Sequence, residues 1–306
     1  MKENIKIGIT TDSSAGIEYA PFKTNIKVTR NCIIFPNKLM LDSTDIQAKE
    51  FYSILEKNDV IPSTTAPTTC EFLKRLNEWE KEGATDVIHF SISTGLSTAG
   101  LHAKSIVDQS KEVDTRFHFF DTKTACIAQG YIAKYAEILA EKNYSVEDIL
   151  AECTKFRDNS VIYFMVGSLK YLIKNGRLSA SAGAIGSLMN IKPILRLGPP
   201  NGLILPYKKI RTNKKAIDKI YNLALDQGKG HKKVLYAVLH SDRLADAIEL
   251  KKRMQSHMHN AIRIDVSDIT PTVGAHIGPN LLGIVIINLD NLKEEFLLED
   301  TDNYLL

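Results

Sequence analysis

The residues best suited to chemistry in this chain are hydroxyls gathered at loops. The stretch 91–99 reads Ser-Ile-Ser-Thr-Gly-Leu-Ser-Thr-Ala, with Ser93, Thr94, Ser97 and Thr98 around a single Gly. It follows a largely apolar run at 86–90 that reads as a buried strand, and a helix-like stretch opens at Ala99. Such a strand–loop–helix junction turns the unbonded N–H groups of a first helical turn toward whatever lies above the strand end. Ser97 or Thr98 is placed to cap that turn. With no strong base nearby, these hydroxyls suit gripping an anion better than attacking a bond. The expected ligand group is a carboxylate.

Two other stretches repeat the pattern. An Ile-rich strand at 5–11 ends in Asp12, Ser13 and Ser14, at the carboxyl end of a strand, where open α/β sheets collect ligands. Capping of the next turn by Asp12 and Ser13 explains these residues equally well. The second is 62–68, Pro-Ser-Thr-Thr-Ala-Pro-Thr, which sets Thr64 and Thr65 between prolines, ahead of a helix with Phe72, Leu73, Leu76 and Trp79 on one face. Simple capping explains it about as well, and the recurrence of hydroxyls ahead of a helix tips the reading toward a ligand site. His276 lies in 270–279, a segment broken by glycines and prolines and expected to be loop. A lone His is more often structural, but one in such a loop is a better donor to an anion than one in a core.

The elements that must position these groups fall into two sets. Strands expected near 5–11, 26–35, 39–41, 86–90 and 117–120 alternate with helices near 45–55, after 68, after 99, and at 125–139 and 146–156. Such alternation predicts an α/β domain over 1–160 built on a mainly parallel, helix-covered sheet. From 161 the pattern changes. A strand at 161–166 leads to a short helix closed at Gly176, with Arg177 just beyond it, and small residues at 180–187 suggest a packed helix. Two strands at 191–197 and 203–211 flank a hairpin turn. Helices at 214–226 and 243–256, with strands at 233–239, 261–266 and 283–289, complete a second α/β domain over 161–306, with a mixed sheet.

Bulk properties exclude several classes. The 306 residues are 44% hydrophobic and 25% charged, as expected of a soluble globular protein. A net charge of +3, with scattered Lys and Arg, gives no footprint for nucleic acid. No apolar run reaches the roughly 20 residues of a membrane span, and 1–5 lead directly into a strand without a signal peptide. Cys32, Cys70, Cys126 and Cys153 are widely spaced, so neither a zinc site nor a disulfide framework is expected, and the location read from this is cytoplasmic. Neither G-x-x-x-x-G-K-[ST] nor G-x-G-x-x-G occurs, and no cofactor is expected.

Taken together and in order, the motifs resemble those of the DegV family, which includes the fatty-acid-binding subunits of bacterial fatty acid kinase. Thr10-Thr11-Asp12-Ser13 is similar to the family's opening T-D-S, and Thr64-Thr65-Ala66-Pro67-Thr68 to its T-S-Q-P-S. The stretch 92–97 resembles S-S-G-L-S, 175–179 resembles G-G-R-I-S, and 190–195 is N-I-K-P-I-L itself. Lys209-Ile210-Arg211-Thr212 and His276-Ile277-Gly278-Pro279 complete the set, which spans nearly the whole chain. Departures include Ala66 where the family has Gln and Asn175 where it has Gly.

The resemblance implies a non-catalytic lipid-binding protein with a long-chain fatty acid held between two domains. Thr65, Ser93 and Thr94 would then bond the carboxylate, with His276 alongside, while Asp12, Ser13, Thr64, Ser97 and Arg177 lie near the head group or entrance. It also implies a partner, a separate ATP-dependent kinase subunit that makes acyl phosphate for phospholipid synthesis. Lys209 and Arg211 are candidates to face it, and membrane contact during ligand exchange is left open. The rival reading is a serine hydrolase using Ser93 and His276 on a small ester or acyl substrate. Against it stand the absence of a G-x-S-x-G elbow and of an acid to orient the His.

Overall fold

The computed structural model describes residues 6–110, 112–178, 191–296 and 298. Its first sheet has the order β2-β1-β6-β7, from β1 (Ile7–Asp12), β2 (Lys27–Thr29), β6 (Asp86–Ser91) and β7 (Arg116–Asp121), and every neighbouring pair is parallel. Alternation along the strands divides their side chains between two layers. Val87 packs with α2 (Thr69–Lys81) and α3 (Ala99–Gln109), whereas Ile7, Ile9, Ile88 and Phe90 turn to the opposite face and the main core. Between β2 and α2 the chain also forms a small antiparallel sheet, β4-β3-β5, from β3 (Cys32–Phe35), β4 (Lys38–Leu41) and β5 (Ser63–Thr65), with α1 (Ala48–Lys57) following β4.

On that opposite face lies α4 (Cys126–Glu141). Twelve of its sixteen residues are buried, so it is apolar nearly all round and sits inside the molecule instead of over a surface. Its Tyr131 hydroxyl donates to Asp265 at 2.6 Å, on a strand of the second sheet. Arg263 donates from Nε to both oxygens of the same carboxylate and from Nη2 to the carbonyl of Pro21, tying the two halves together. The helix α5 (Val146–Asp158) follows, opened by Ser145, which accepts from the Asp148 N–H.

The second sheet has six strands in the order β10-β9-β8-β13-β11-β12, from β8 (Ser160–Met165), β9 (Ile194–Leu197), β10 (Leu205–Lys208), β11 (Val234–His240), β12 (Ala261–Asp268) and β13 (Leu282–Asn288). Only β11 and β12 run parallel; the other pairs are antiparallel. Its alternation is sharp. Val161, Tyr163 and Met165 pack under α7 (Asn213–Gly228) and α8 (Leu244–Gln255), while Ile162 and Phe164 face the first half of the chain. Leu235, Ala237 and Leu239 on β11 do the same, so one face of this sheet is an aliphatic wall turned toward α4.

The expected α/β architecture, with a parallel sheet first and a mixed sheet second, is the one found. Three local expectations change. The strand expected at 26–35 breaks at 30–31 into β2 and β3, which belong to different sheets. The segment 62–68, read as loop, contains β5, whose pairing to β3 is non-local and hidden behind flanking prolines. The segment around His276, also read as loop, forms a short helix, α9 (Pro271–Ile277). Thr270 caps it by accepting from the Val273 N–H, and Pro271 sits at its start, where a missing N–H costs nothing. The stretch 180–187 lies outside the described residues. Among the described residues no helix is long and apolar enough to cross a membrane.

Candidate binding cavity

Where the two halves meet, a cavity of ≈ 440 Å³ opens between the aliphatic wall and the loops at the carboxyl ends of β1 and β6. That is within the usual range for a small-molecule site. Much of its lining is hydrocarbon: Ile162 and Phe164 on β8, Leu197 on β9, Leu239 on β11, and Ile269 and Leu281 from neighbouring loops. One part is polar, and Thr64, Thr65, Ser97, Thr98, Arg177 and His276, all singled out from the sequence, line it.

Thr64 and Thr65 are delivered by β5. Register with β3 pairs Ile33 with Thr64 and Cys32 with Thr65, which fixes their height against α9. Thr64 Oγ1 and His276 Nε2 are hydrogen-bonded at 2.8 Å, while Nδ1 of the same ring is buried without a partner. Burial, and then the neighbouring Arg177 guanidinium, push the His276 imidazole down to about 4, so at neutral pH the ring is uncharged. Arg177 lies past the end of α6 (Lys170–Lys174), after Gly176 at φ 66. It donates from Nε to the carbonyl of Leu96 at 3.2 Å and from Nη1 to the carbonyl of Asn175. One permanent cation, a neutral His and two hydroxyls thus share one wall, a set that can satisfy a carboxylate withdrawn from water.

Of the other predicted residues, Ser93, Thr94, Asp12, Ser13, Lys209 and Arg211 stand outside the lining. Ser93 is buried outside the lining, donates to the Gly202 carbonyl at 2.7 Å and accepts from the Gly95 N–H at 3.2 Å. Thr94 gives its hydroxyl to Asp121 at 2.6 Å and its N–H to the other oxygen of the same carboxylate. A Cβ on Gly95 would come within 2.8 Å of the Gly202 carbonyl, so this loop is pressed against the hairpin of the second half. At the start of α3, Thr98 holds the cap position without a side-chain bond, and Ser97 Oγ accepts from the Ala99 N–H. Asp12 is fully buried, caps the turn at Ser13–Ala15, and accepts from the N–H groups of Ser14 and Ile92 and from Gln129. Ser13 Oγ accepts from both nitrogens of Asn31. Lys209 and Arg211 are exposed between β10 and α7, apart from the lining.

Ser93 and His276, the pair a hydrolase would use, are not bonded to one another; each has the other partners just named. Among the described residues no group of acids, histidines and cysteines is arranged to hold a metal ion. Sequence reading passed over Asn31 and Thr272, which also line the cavity, as does Ser14 from the loop after β1. Asn31 and Thr272 carried no motif, and only their burial against the ligand space singles them out.

Comparison with known proteins agrees with this architecture. Residues 6–289 match the family described as "Uncharacterised protein, DegV family". Protein DegV of Bacillus subtilis is 31% identical over 285 residues, covering 92% of this chain and 98% of that protein. A DegV domain-containing protein of Clostridium acetobutylicum is 30% identical over 285 residues, covering 92% of this chain and 99% of the relative. The crystal structure of DegV from Bacillus subtilis, a fatty acid binding protein, superposes with a TM-score of 0.83 at 28% identity, over 94% of this chain and 100% of that one. With a family match across nearly its whole length and relatives of this similarity, the chain belongs to the DegV family.

Proposed function

We propose that this protein binds a long-chain fatty acid in the cavity and presents its carboxylate to a separate ATP-dependent kinase subunit, without catalysing a reaction itself. The observation that carries the reading is the division of the cavity wall. Thr64, Thr65, His276 and Arg177 give it a polar patch, while Ile162, Phe164, Leu197 and Leu239 of the second sheet, with Ile204, Ile269 and Leu281, give it a hydrocarbon wall. Such a lining fits an amphiphile with one anionic end. Burial of the acyl chain supplies affinity at about 0.8 kcal/mol per CH₂, and the polar patch sets its direction. The description of Bacillus subtilis DegV as a fatty acid binding protein supports the same conclusion.

In this reading Thr65, on the solvent side of β5, and the Thr64–His276 pair receive the carboxylate, with Arg177 beside them. Ser93 and Thr94 join only if the carboxylate takes over the hydroxyls now given to Gly202 and Asp121. We place the division into two domains near residue 160, ahead of the first strand of the second sheet. Exposed Lys209 and Arg211 would face the kinase subunit or the phosphate it transfers. The test is mass spectrometry of small molecules released from the purified, denatured protein. A stoichiometric long-chain fatty acid is expected; none, even after incubation with such acids, would overturn the reading.

A further inference from the structure

Asn31 is 5% exposed and lines the cavity. It stands one residue before β3, and the antiparallel register with β4 runs on through it, since the Asp42 N–H donates to its carbonyl at 3.0 Å. On the other side, the pairing of Cys32 with Thr65 brings Asn31 opposite Ala66, which also lines the cavity. Side chains alternate along a strand, so Asn31 shares a face with Ile33 and with Thr64, the partner of Ile33. Asn31 and Thr64 are thus diagonal neighbours, about 7 Å apart. Ala66 contributes only a methyl where the family motif has Gln, so the amide on this row is that of Asn31.

That amide is only half used. Ser13 Oγ accepts from the Asn31 backbone N–H at 3.2 Å and from Nδ2 at 3.3 Å, and the Ser13 hydroxyl is itself bonded to the buried Asp42 carboxylate. With its proton given to Asp42, Ser13 can only accept, which holds the nitrogen end of the amide in place. The second Nδ2 hydrogen has no partner among the described residues. A buried donor left unbonded beside a ligand space marks a place where the ligand supplies the acceptor. We propose that Asn31 is a further carboxylate-binding residue, which donates its free Nδ2 hydrogen to the head group next to Thr64 and so favours an acid over the corresponding alcohol. Two hydrogen bonds of about 2.9 Å, with a carboxylate between them, bridge a gap of the size that separates Asn31 from Thr64. The inference rests on the fatty-acid reading above and adds a contact to its head-group site.

The experiment measures dissociation constants of the delipidated full chain for hexadecanoate and hexadecanol, in the wild type and in Asn31→Leu, which keeps the volume and removes the amide. Hexadecanoate affinity should fall about tenfold or more, the size of a hydrogen bond to a charged group, while the alcohol changes by less than about threefold. An equal loss for both ligands would mean that Asn31 only holds the loop at Ser13. That result, a loss confined to the alcohol, or no loss at all would overturn the proposal while leaving fatty-acid binding intact. A second measurement needs no variant: with isotope-labelled asparagine in the wild type, the Asn31 Nδ2–H resonance should move downfield on binding hexadecanoate and not on binding hexadecanol. An unmoved resonance would also overturn the proposal. Failure of the wild type to bind hexadecanoate would instead remove the fatty-acid reading, and this inference with it.

Discussion

Two hydroxyl-rich stretches, 62–68 and 91–98, are near equivalents as sequence and are used differently in the fold. In the first, β5 sets Thr64 and Thr65 on the cavity wall, and the partner of Thr64 is the neutral ring of His276. In the second, the hydroxyls of Ser93 and Thr94 are already given to strong acceptors, a carbonyl and a carboxylate. A hydroxyl has one proton to donate. Its availability to a ligand therefore depends on which acceptor the fold has put beside it, and that acceptor is distant in sequence: Gly202 for Ser93, Asp121 for Thr94, His276 for Thr64.

The largest effect expected from this contrast is on ligand affinity. Replacing both threonines, Thr64→Val with Thr65→Val, removes two donors to an anion at little change in shape. Hydrogen bonds to charged groups contribute about 1.5–3 kcal/mol each, so fatty-acid affinity should fall about 100-fold or more. The matching pair, Ser93→Ala with Thr94→Val, should lower folding stability and leave affinity within about threefold. Dissociation constants for both doubles decide the matter. An equal loss in the second pair would mean that Ser93 exchanges the Gly202 carbonyl for the ligand, and the contrast would dissolve.

A smaller effect comes through protons. The folded pKa of His276 is depressed to about 4 from an ordinary value near 6.5. The folded protein therefore binds fewer protons than the unfolded chain between these values. Its contribution to stability is complete above about pH 6.5 and is lost as pH falls toward 4, by up to about 3 kcal/mol. Asp42, raised to about 6, acts in the opposite sense, its contribution being lost as pH rises. Comparing wild type with His276→Gln removes that background. A carboxylate bound against the ring favours its charged form, so the acid-induced loss should shrink when fatty acid is present. Parallel curves of melting temperature against pH, with and without ligand, would place the head group away from His276.

Much of this molecule was legible from sequence because much of it depends on local periodicity. The Ile-rich run of β1 and the short continuous apolar runs of β8 and β11 read as buried strands, and each is buried along its whole length. The site was less legible where it depends on pairs far apart in the chain. Nothing near 62–68 indicates that Cys32 will lie opposite Thr65 and make β5 a strand. The helical start at Thr270-Pro271 was present as a capping signal, but glycines at 274 and 278 masked it.

The finest test of the contrast is Thr94→Val alone. Asp121 accepts three bonds in this loop, from the Thr94 hydroxyl, the Thr94 N–H and the Lys123 N–H. Deleting the hydroxyl leaves two backbone donors on the carboxylate, which therefore stays partly satisfied. The cost should be close to one net hydrogen bond, about 1 kcal/mol of folding stability by denaturant titration, with no change in fatty-acid affinity. A loss well above this would mean that the hydroxyl organises the whole loop, including its contact with Gly202. A loss of affinity without loss of stability would mean that Thr94 faces the ligand after all. The measurement thus separates a hydroxyl that holds the loop from one that holds the acid, within a single residue whose sequence context is the same in both accounts.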